Sequence, residues 1–286
     1  MKKEMGKKRI LGLLFIAALG LMFSGCTSPP QDGGTGTTPE TKKITIAGST
    51  TVQPISNKAV EIYTKRNPNV KISVQGGGSG TGVRMASEGS VDIGAASRDL
   101  KASEITATPT LLAHTIAYDG IVVVVHPSNS IDGLSIQQVQ DIFSGKTKNY
   151  AEFGGPDKEI VAIVREEGSG TRATFEELVM DDGGVSNSED VLQKPSNGAV
   201  KSTVSGNENA ISYVGLGYVD ESVKPLVIDG VMPTMESIGD GSYPISRSLY
   251  YITNGEPSGE VRKYIDFVKG SEGQQIVEEE GFIPLG

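Results

Sequence analysis

The sequence predicts an α/β protein with mixed, mainly parallel sheets flanked by helices on both faces. Three observations carry this. Short β-rich runs alternate with amphipathic stretches from Lys43 onward, and glycines cluster at the ends of the predicted strands instead of spreading evenly. The part after Lys42 is 244 residues long, more than one compact core usually holds, so two lobes are expected.

The predicted strands are Ile44–Ala47, Val70–Val74, Asp92–Ala95, Ile121–His126, Ile160–Val164, Ala210–Val214 and Leu249–Ile252. Between them, Ile55, Ala59, Ile62 and Tyr63 mark one face of a helix that opens near Pro54, where a missing N–H is harmless. A second helix carries Phe175, Leu178 and Val179, and a third follows Ser135, which with Gln138 forms a capping box. Val261, Tyr264, Ile265 and Val268 mark a C-terminal helix. Strand and helix in alternation mean parallel sheet crossed by helices. No 20–50-residue repeat and no heptad run is visible.

The first 42 residues read differently. Lys2, Lys3, Lys7, Lys8 and Arg9 precede an uncharged apolar run, Ile10 to Phe23, too short to span a bilayer but suited to a secretory leader. Phe23-Ser24-Gly25-Cys26 resembles the lipobox of prokaryotic lipoproteins, which implies cleavage after residue 25 and a lipid on Cys26. The alternative is a buried Cys behind an uncleaved anchor. Cys26 is the sole cysteine, so no intrachain disulfide can form. Residues 26–42 are rich in Pro, Gly and Thr and hold little apolar surface, the composition of a flexible tether.

Charge narrows the function classes. The whole chain carries −9 and its first 25 residues +4, leaving −13 on the remainder. Without a basic stripe, such a surface offers no footprint for nucleic acid. An anionic small ligand stays open, because global charge is screened within roughly 8–10 Å, whereas a dry anion site depends on local donors.

Three loops offer such donors. Gly48-Ser49-Thr50-Thr51 follows the first strand. Gly76-Gly77-Gly78-Ser79-Gly80-Thr81-Gly82 follows the second and precedes a helix at Val83–Glu88. Gly168-Ser169-Gly170-Thr171 follows Ile160–Val164 and precedes the helix holding Phe175. Each sets hydroxyls and bare amides at a helix N-terminus, where the dipole favours an anion. One such loop could be plain capping; three, all strand-loop-helix, point to one oxyanion. Arg165 ends a strand just ahead of the third loop and could supply the positive charge, with a solvent-facing arginine as the alternative. Glu167, two residues on, would share its face if the strand continued and would hold the guanidinium.

Enzyme readings fail on detail. Gly77 and Gly82 have the spacing of a phosphate-cradling P-loop, but Val83-Arg84 stand where Lys and Ser/Thr are needed. Neither Ser79 nor Ser169 sits in Gly-x-Ser-x-Gly. His114 and His126, the only histidines, have no metal-ligand spacing. No cofactor, metal or catalytic residue is expected.

Gly48–Pro54, Gly76–Gly82, Asp92–Arg98 and Arg165–Arg172 together resemble the phosphate-binding proteins of phosphate-specific ABC transporters. So do Asp141–Lys146, Ser196–Ala199 and Ile211–Gly215, and the resemblance runs from about Ile44 to the C-terminus. It implies a class II periplasmic-binding-protein fold, with lobe I at 43–118 plus 246–286 and lobe II at 119–245. It further implies phosphate held by Thr50, Thr51, Ser79, Arg165, Ser169, Gly170 and Thr171, with Glu167 bracing Arg165. Ser97 and Gly80 are further candidates. Ser97 stands where some members have an Asp that accepts the ligand's proton, which loosens discrimination against sulfate. The implied protein is a monomeric lipoprotein outside the cytoplasm that passes phosphate to ABC permease subunits. Binding of sulfate, molybdate or arsenate, a sensor without a transporter, and a phosphoryl-transfer enzyme remain the alternative readings.

Overall fold

The computed structural model describes residues 41–181, 184–185 and 191–286. The leader, Cys26 and nearly all of the tether lie outside the described residues. The first strand, Lys42–Gly48, begins at the last residue expected to be tether.

One nine-stranded sheet organises the chain. Across it the strands run Val70–Gly76, Lys42–Gly48, Ile93–Ala96, Ser246–Asn254, Leu111–Val125, Ala210–Gly215, Val161–Arg165 and Leu192–Lys194, with Lys224–Pro225 beside the long strand. Lys42–Gly48 pairs in parallel with both of its neighbours, and Val161–Arg165 does the same at the other end. The middle is antiparallel: Ser246–Asn254 runs against Leu111–Gly120, and Ile121–Val125 runs against Ala210–Gly215. The fold is mixed α/β, parallel in both halves and antiparallel where they join.

The long strand Leu111–Val125 corrects one expectation. Only Ile121–His126 reads as strand in the sequence, because Tyr118-Asp119-Gly120 interrupts the apolar run. The backbone pairs straight through that interruption for 15 residues, so the strand belongs to both halves. Its segment Ile121–Val125 is fully buried. Val123 and Val125 join a core with Phe143, Phe175 and Tyr213, while Val122 and Val124 join another with Val200 and Val214. That is the period of two with both faces covered. In the other half, Ile44, Ile46, Ile55, Tyr63, Ile93, Leu249 and Tyr264 share a separate core.

Helices cover these faces much as their apolar spacing predicts. Gln53–Arg66 carries Pro54 in its first turn and buries Ile55, Ala59 and Tyr63. The Ser135–Gln138 capping box is formed. Two expectations need correction. The helix after the second loop starts at Ser79, not Val83, so half of the glycine-rich run is helical. Leu178, expected on the core face of Gly170–Val179, is 41% exposed, whereas Phe175 and Val179 of the same helix are buried.

Candidate functional site

The three loops converge. Where Lys42–Gly48 ends, Gly48 has φ +137, and a Cβ there would lie 2.2 Å from the Ala95 carbonyl oxygen. Only glycine lets the chain turn there against the neighbouring strand. The following residues, Ser49, Thr50 and Thr51, line a small cavity together with Gly78, Ser79 and Ser97. From the other half come Arg165, Ser169, Gly170 and Thr171. All ten are buried, and none is acidic. Gly80 does not line the cavity; its amide donates to the Gly168 carbonyl at 3.0 Å.

The halves touch across this cavity. Thr51 Oγ1 and Thr171 Oγ1 are 3.1 Å apart, and Arg165 Nη2 donates to Thr50 Oγ1 at 3.3 Å. Gly170 makes the approach feasible: a Cβ on it would meet Ser79 Oγ at 2.3 Å and Ser97 Oγ at 2.6 Å. Ser169 caps the helix Gly170–Val179 by accepting from the Arg172 amide. The amides of Gly170 and Thr171 precede the first intrahelical bond and belong to cavity-lining residues, donors at the positive end of a helix dipole.

Arg165 is the charged element. It is 1% exposed. Its Nε and Nη2 donate to the two carboxylate oxygens of Glu166, both at 2.9 Å. The brace is therefore Glu166, not Glu167. The strand Val161–Arg165 ends at the arginine, so strand alternation does not carry on to residue 167, and Glu167 is exposed. The third guanidinium nitrogen, Nη1, is buried without a hydrogen-bond partner among the described residues. A buried, unpaired cationic donor beside a small cavity calls for an acceptor in that cavity.

Arg172 pairs with Glu176 and donates to the Arg165 carbonyl, while two further arginines are occupied elsewhere. Arg98 forms a two-point ion pair with Glu104. Arg84 pairs with Glu88 on the surface. Ser97 lies beside Ser79, whose Oγ accepts from the Ser97 amide at 3.0 Å. His114 Nε2 pairs with Thr253 and His126 Nδ1 with Ser128, both away from the cavity.

Three participants receive no role from the sequence alone, although Asn197 lies in the Ser196–Ala199 stretch. Asn197, fully buried at the start of helix Asn197–Ser205, donates from Nδ2 to Thr50 Oγ1 (3.2 Å) and Thr51 Oγ1 (2.9 Å). Asp119 and Arg247 are cross-strand partners at the junction of the halves, and both side chains are buried. Arg247 donates from Nε and Nη2 to Asp119, from Nη1 to the Ser97 carbonyl, and from Nη2 to Thr51 Oγ1. Burial pushes the Asp119 carboxyl above the usual range, against the pull of Arg247 and of the Leu216 and Gly120 amides. A lone Asp inside an apolar strand is the one available signal for this pair.

Comparison with known proteins agrees with this geometry. Residues 33–272 match the family model of the PBP superfamily domain. The phosphate-binding protein PstS of Bacillus subtilis is 33% identical, over 98% of this chain and 95% of its own. That of Borreliella burgdorferi is 30% identical, over 97% and 99%. Among solved structures, a phosphate ABC transporter substrate-binding protein from Clostridium perfringens with bound phosphate superposes with a TM-score of 0.81. It is 39% identical, and the match covers 86% of this chain and 100% of that one. An ABC-type phosphate transport receptor from Vibrio cholerae gives a TM-score of 0.70 at 34% identity, covering 84% and 99%. The chain belongs to the PBP superfamily and, within it, to the PstS phosphate-binding proteins.

Proposed function

We propose that the protein captures inorganic phosphate in the cavity lined by Thr50, Thr51, Ser79, Ser97, Arg165, Ser169, Gly170 and Thr171, and delivers it to an ABC importer. The observation that carries this is the buried Arg165 Nη1 without a partner among the described residues. It adjoins a small cavity whose lining offers hydroxyls and helix-terminal amides. A buried set of donors with no acidic side chain suits one tetrahedral anion, held by charge-assisted hydrogen bonds to groups from both halves.

Lobe I (43–118 plus 246–286) and lobe II (119–245) then close on the ligand, because one anion satisfies both donor sets only when they meet. A closed lobe pair is the shape that permease subunits would receive. The reading is of a binding protein, monomeric and without catalysis. Its place is outside the cytoplasm, held to the membrane by a lipid on Cys26.

The test is calorimetry on protein stripped of phosphate, titrated with phosphate and then with sulfate. One phosphate per chain with much weaker sulfate binding is expected. Equal affinity for the two anions would leave a general oxyanion binder and point to Ser97 as the cause.

A further inference from the structure

Resting on the phosphate reading above, we infer that Asn197 is a positioning residue that sets which way the Thr50 and Thr51 hydroxyls point, and thereby which face of the cavity accepts only unprotonated oxygens. Counting hydrogens leads there. Asn197 Oδ1 accepts from the Gly215 amide at 3.3 Å. A backbone N–H can only donate, so the orientation of the Asn197 amide is fixed, and its Nδ2 faces Thr50 and Thr51.

Three obligate donors then lie within reach of Thr50 Oγ1, one more than it can accept: Asn197 Nδ2 at 3.2 Å, the Asn197 amide at 3.4 Å and Arg165 Nη2 at 3.3 Å. A hydroxyl has two lone pairs and one hydrogen. With its lone pairs engaged, Thr50 has only its hydrogen to offer the cavity. Thr51 Oγ1 is in the same position, receiving Asn197 Nδ2 at 2.9 Å and Arg247 Nη2 at 3.3 Å. Its hydrogen goes either to the anion or to Thr171 Oγ1 at 3.1 Å. In the second case Thr171 accepts and passes its own hydrogen on to the ligand. Both routes end in a donor.

The Ser79–Ser97 wall differs. Ser79 Oγ receives one obligate donor, the Ser97 amide, and Ser97 Oγ meets only Ser79 Oγ, at 3.3 Å. This pair keeps a lone pair available and can take an oxygen that carries a proton. The cavity is thus sided: the Thr50–Thr51 wall takes bare oxygens, and the Ser79–Ser97 wall takes a protonated one. Asn197 enforces the first wall without lining the cavity itself.

The test compares the full chain with Asn197→Asp and Asn197→Ala, by phosphate and sulfate calorimetry from pH 5 to pH 8. Circular dichroism melts check that each variant is folded. The charged groups around position 197 are Arg165, already paired with Glu166, and Arg247, already paired with Asp119. In Asn197→Asp, an ionised carboxylate would accept the two threonine hydrogens and turn both hydroxyls away from the anion. Phosphate affinity should fall roughly 100-fold at pH 8, and much of it should return at pH 5, where a protonated carboxyl donates again. Asn197→Ala removes a donor without adding an acceptor, so its loss should be about 10-fold or less and flat with pH. Asn197→Asp behaving like Asn197→Ala, with no recovery at low pH, would overturn the inference and leave a packing role. A parent chain that bound neither anion would overturn the phosphate reading itself.

Discussion

Two buried arginines, one in each functional region of the molecule, look alike in burial and are opposite in what they leave open. Arg247 lies where the crossing strands join the halves, and each of its three guanidinium nitrogens has an acceptor. Arg165 stands at a strand end beside the cavity, and one of its three nitrogens has none among the described residues. Both are paired with a carboxylate, Asp119 in one case and Glu166 in the other. Burial and ion pairing therefore do not separate a structural cation from a ligand-binding one. Counting donors against acceptors does. The closed network at the junction fixes the strands and the Thr51 loop; the open one at the cavity is completed by an anion.

Replacing Arg247 by Met should have the largest effect, and on stability. Asp119 would remain with no exposure to solvent and no counter-charge, a loss that typically costs about 3–5 kcal/mol. For a chain of this size that is about 2–4 °C of melting temperature per kcal/mol. The pH dependence has a definite sign. The folded-state pKa of Asp119 is raised, and without Arg247 it rises further. The folded state then holds a proton that the unfolded chain releases, so stability is retained at low pH and lost as pH rises through the raised value. The variant should melt closer to the parent at pH 5 than at pH 8. An unchanged melt at both values would mean that the junction pair holds nothing together.

Replacing Arg165 by Met should do the reverse. The melt without ligand should change little, because Glu166 is partly exposed and can turn to water. Phosphate binding should weaken by about 2–5 kcal/mol, the usual cost of truncating one side of a buried, hydrogen-bonded charge pair. A variant that lost stability but kept its affinity would exchange the roles of the two arginines.

The difference between the arginines also marks how far the sequence can be read. The cavity loops are legible because their chemistry is local: strand, then glycine and hydroxyls, then helix, three times over. The roles of Asn197 and the Asp119–Arg247 pair are not, since Asn197 reaches Thr50 across 147 residues and Arg247 reaches Asp119 across 128, meeting only through sheet order. The long strand shows only a third of its length in the sequence because a polar interruption, Tyr118-Asp119-Gly120, looks like a break until its cross-strand partner is known. Glu167 is favoured over Glu166 by the family resemblance and by a two-residue alternation that does not continue past the end of the strand at Arg165.

Shape should matter nearly as much as charge at the cavity. Gly170→Ala would place a methyl where Ser79 Oγ and Ser97 Oγ now stand, at 2.3 and 2.6 Å. The halves could not meet without those serines moving, and overpacking of this kind costs about 1–3 kcal/mol. The cost should appear in phosphate affinity, while the separated halves gain from alanine's better helix propensity. Small-angle scattering with phosphate should show a larger radius of gyration than the parent. A parent-like radius and affinity would mean that the contact between the halves has slack not evident in its distances.

The smallest effects separate the two glutamates. Glu166→Ala removes both acceptors that hold Arg165 Nε and Nη2, so the guanidinium gains freedom and its aim at the cavity loosens. The same change strips a negative charge from beside the anion, which favours binding. The two consequences oppose each other, and the pair is partly exposed, so a net change of about 1 kcal/mol or less is expected. The signature should be kinetic more than thermodynamic. Loss of the carboxylate raises the local positive potential and should speed phosphate association, and a less well-held guanidinium should speed its release. Glu167→Ala should leave both rates as they are apart from a salt-dependent change in association, since its exposed carboxylate touches neither the arginine nor the cavity. Stopped-flow binding of the two variants at low and high salt distinguishes them. A faster release in Glu167→Ala than in Glu166→Ala would return the brace to residue 167 and would require the strand to run on past Arg165.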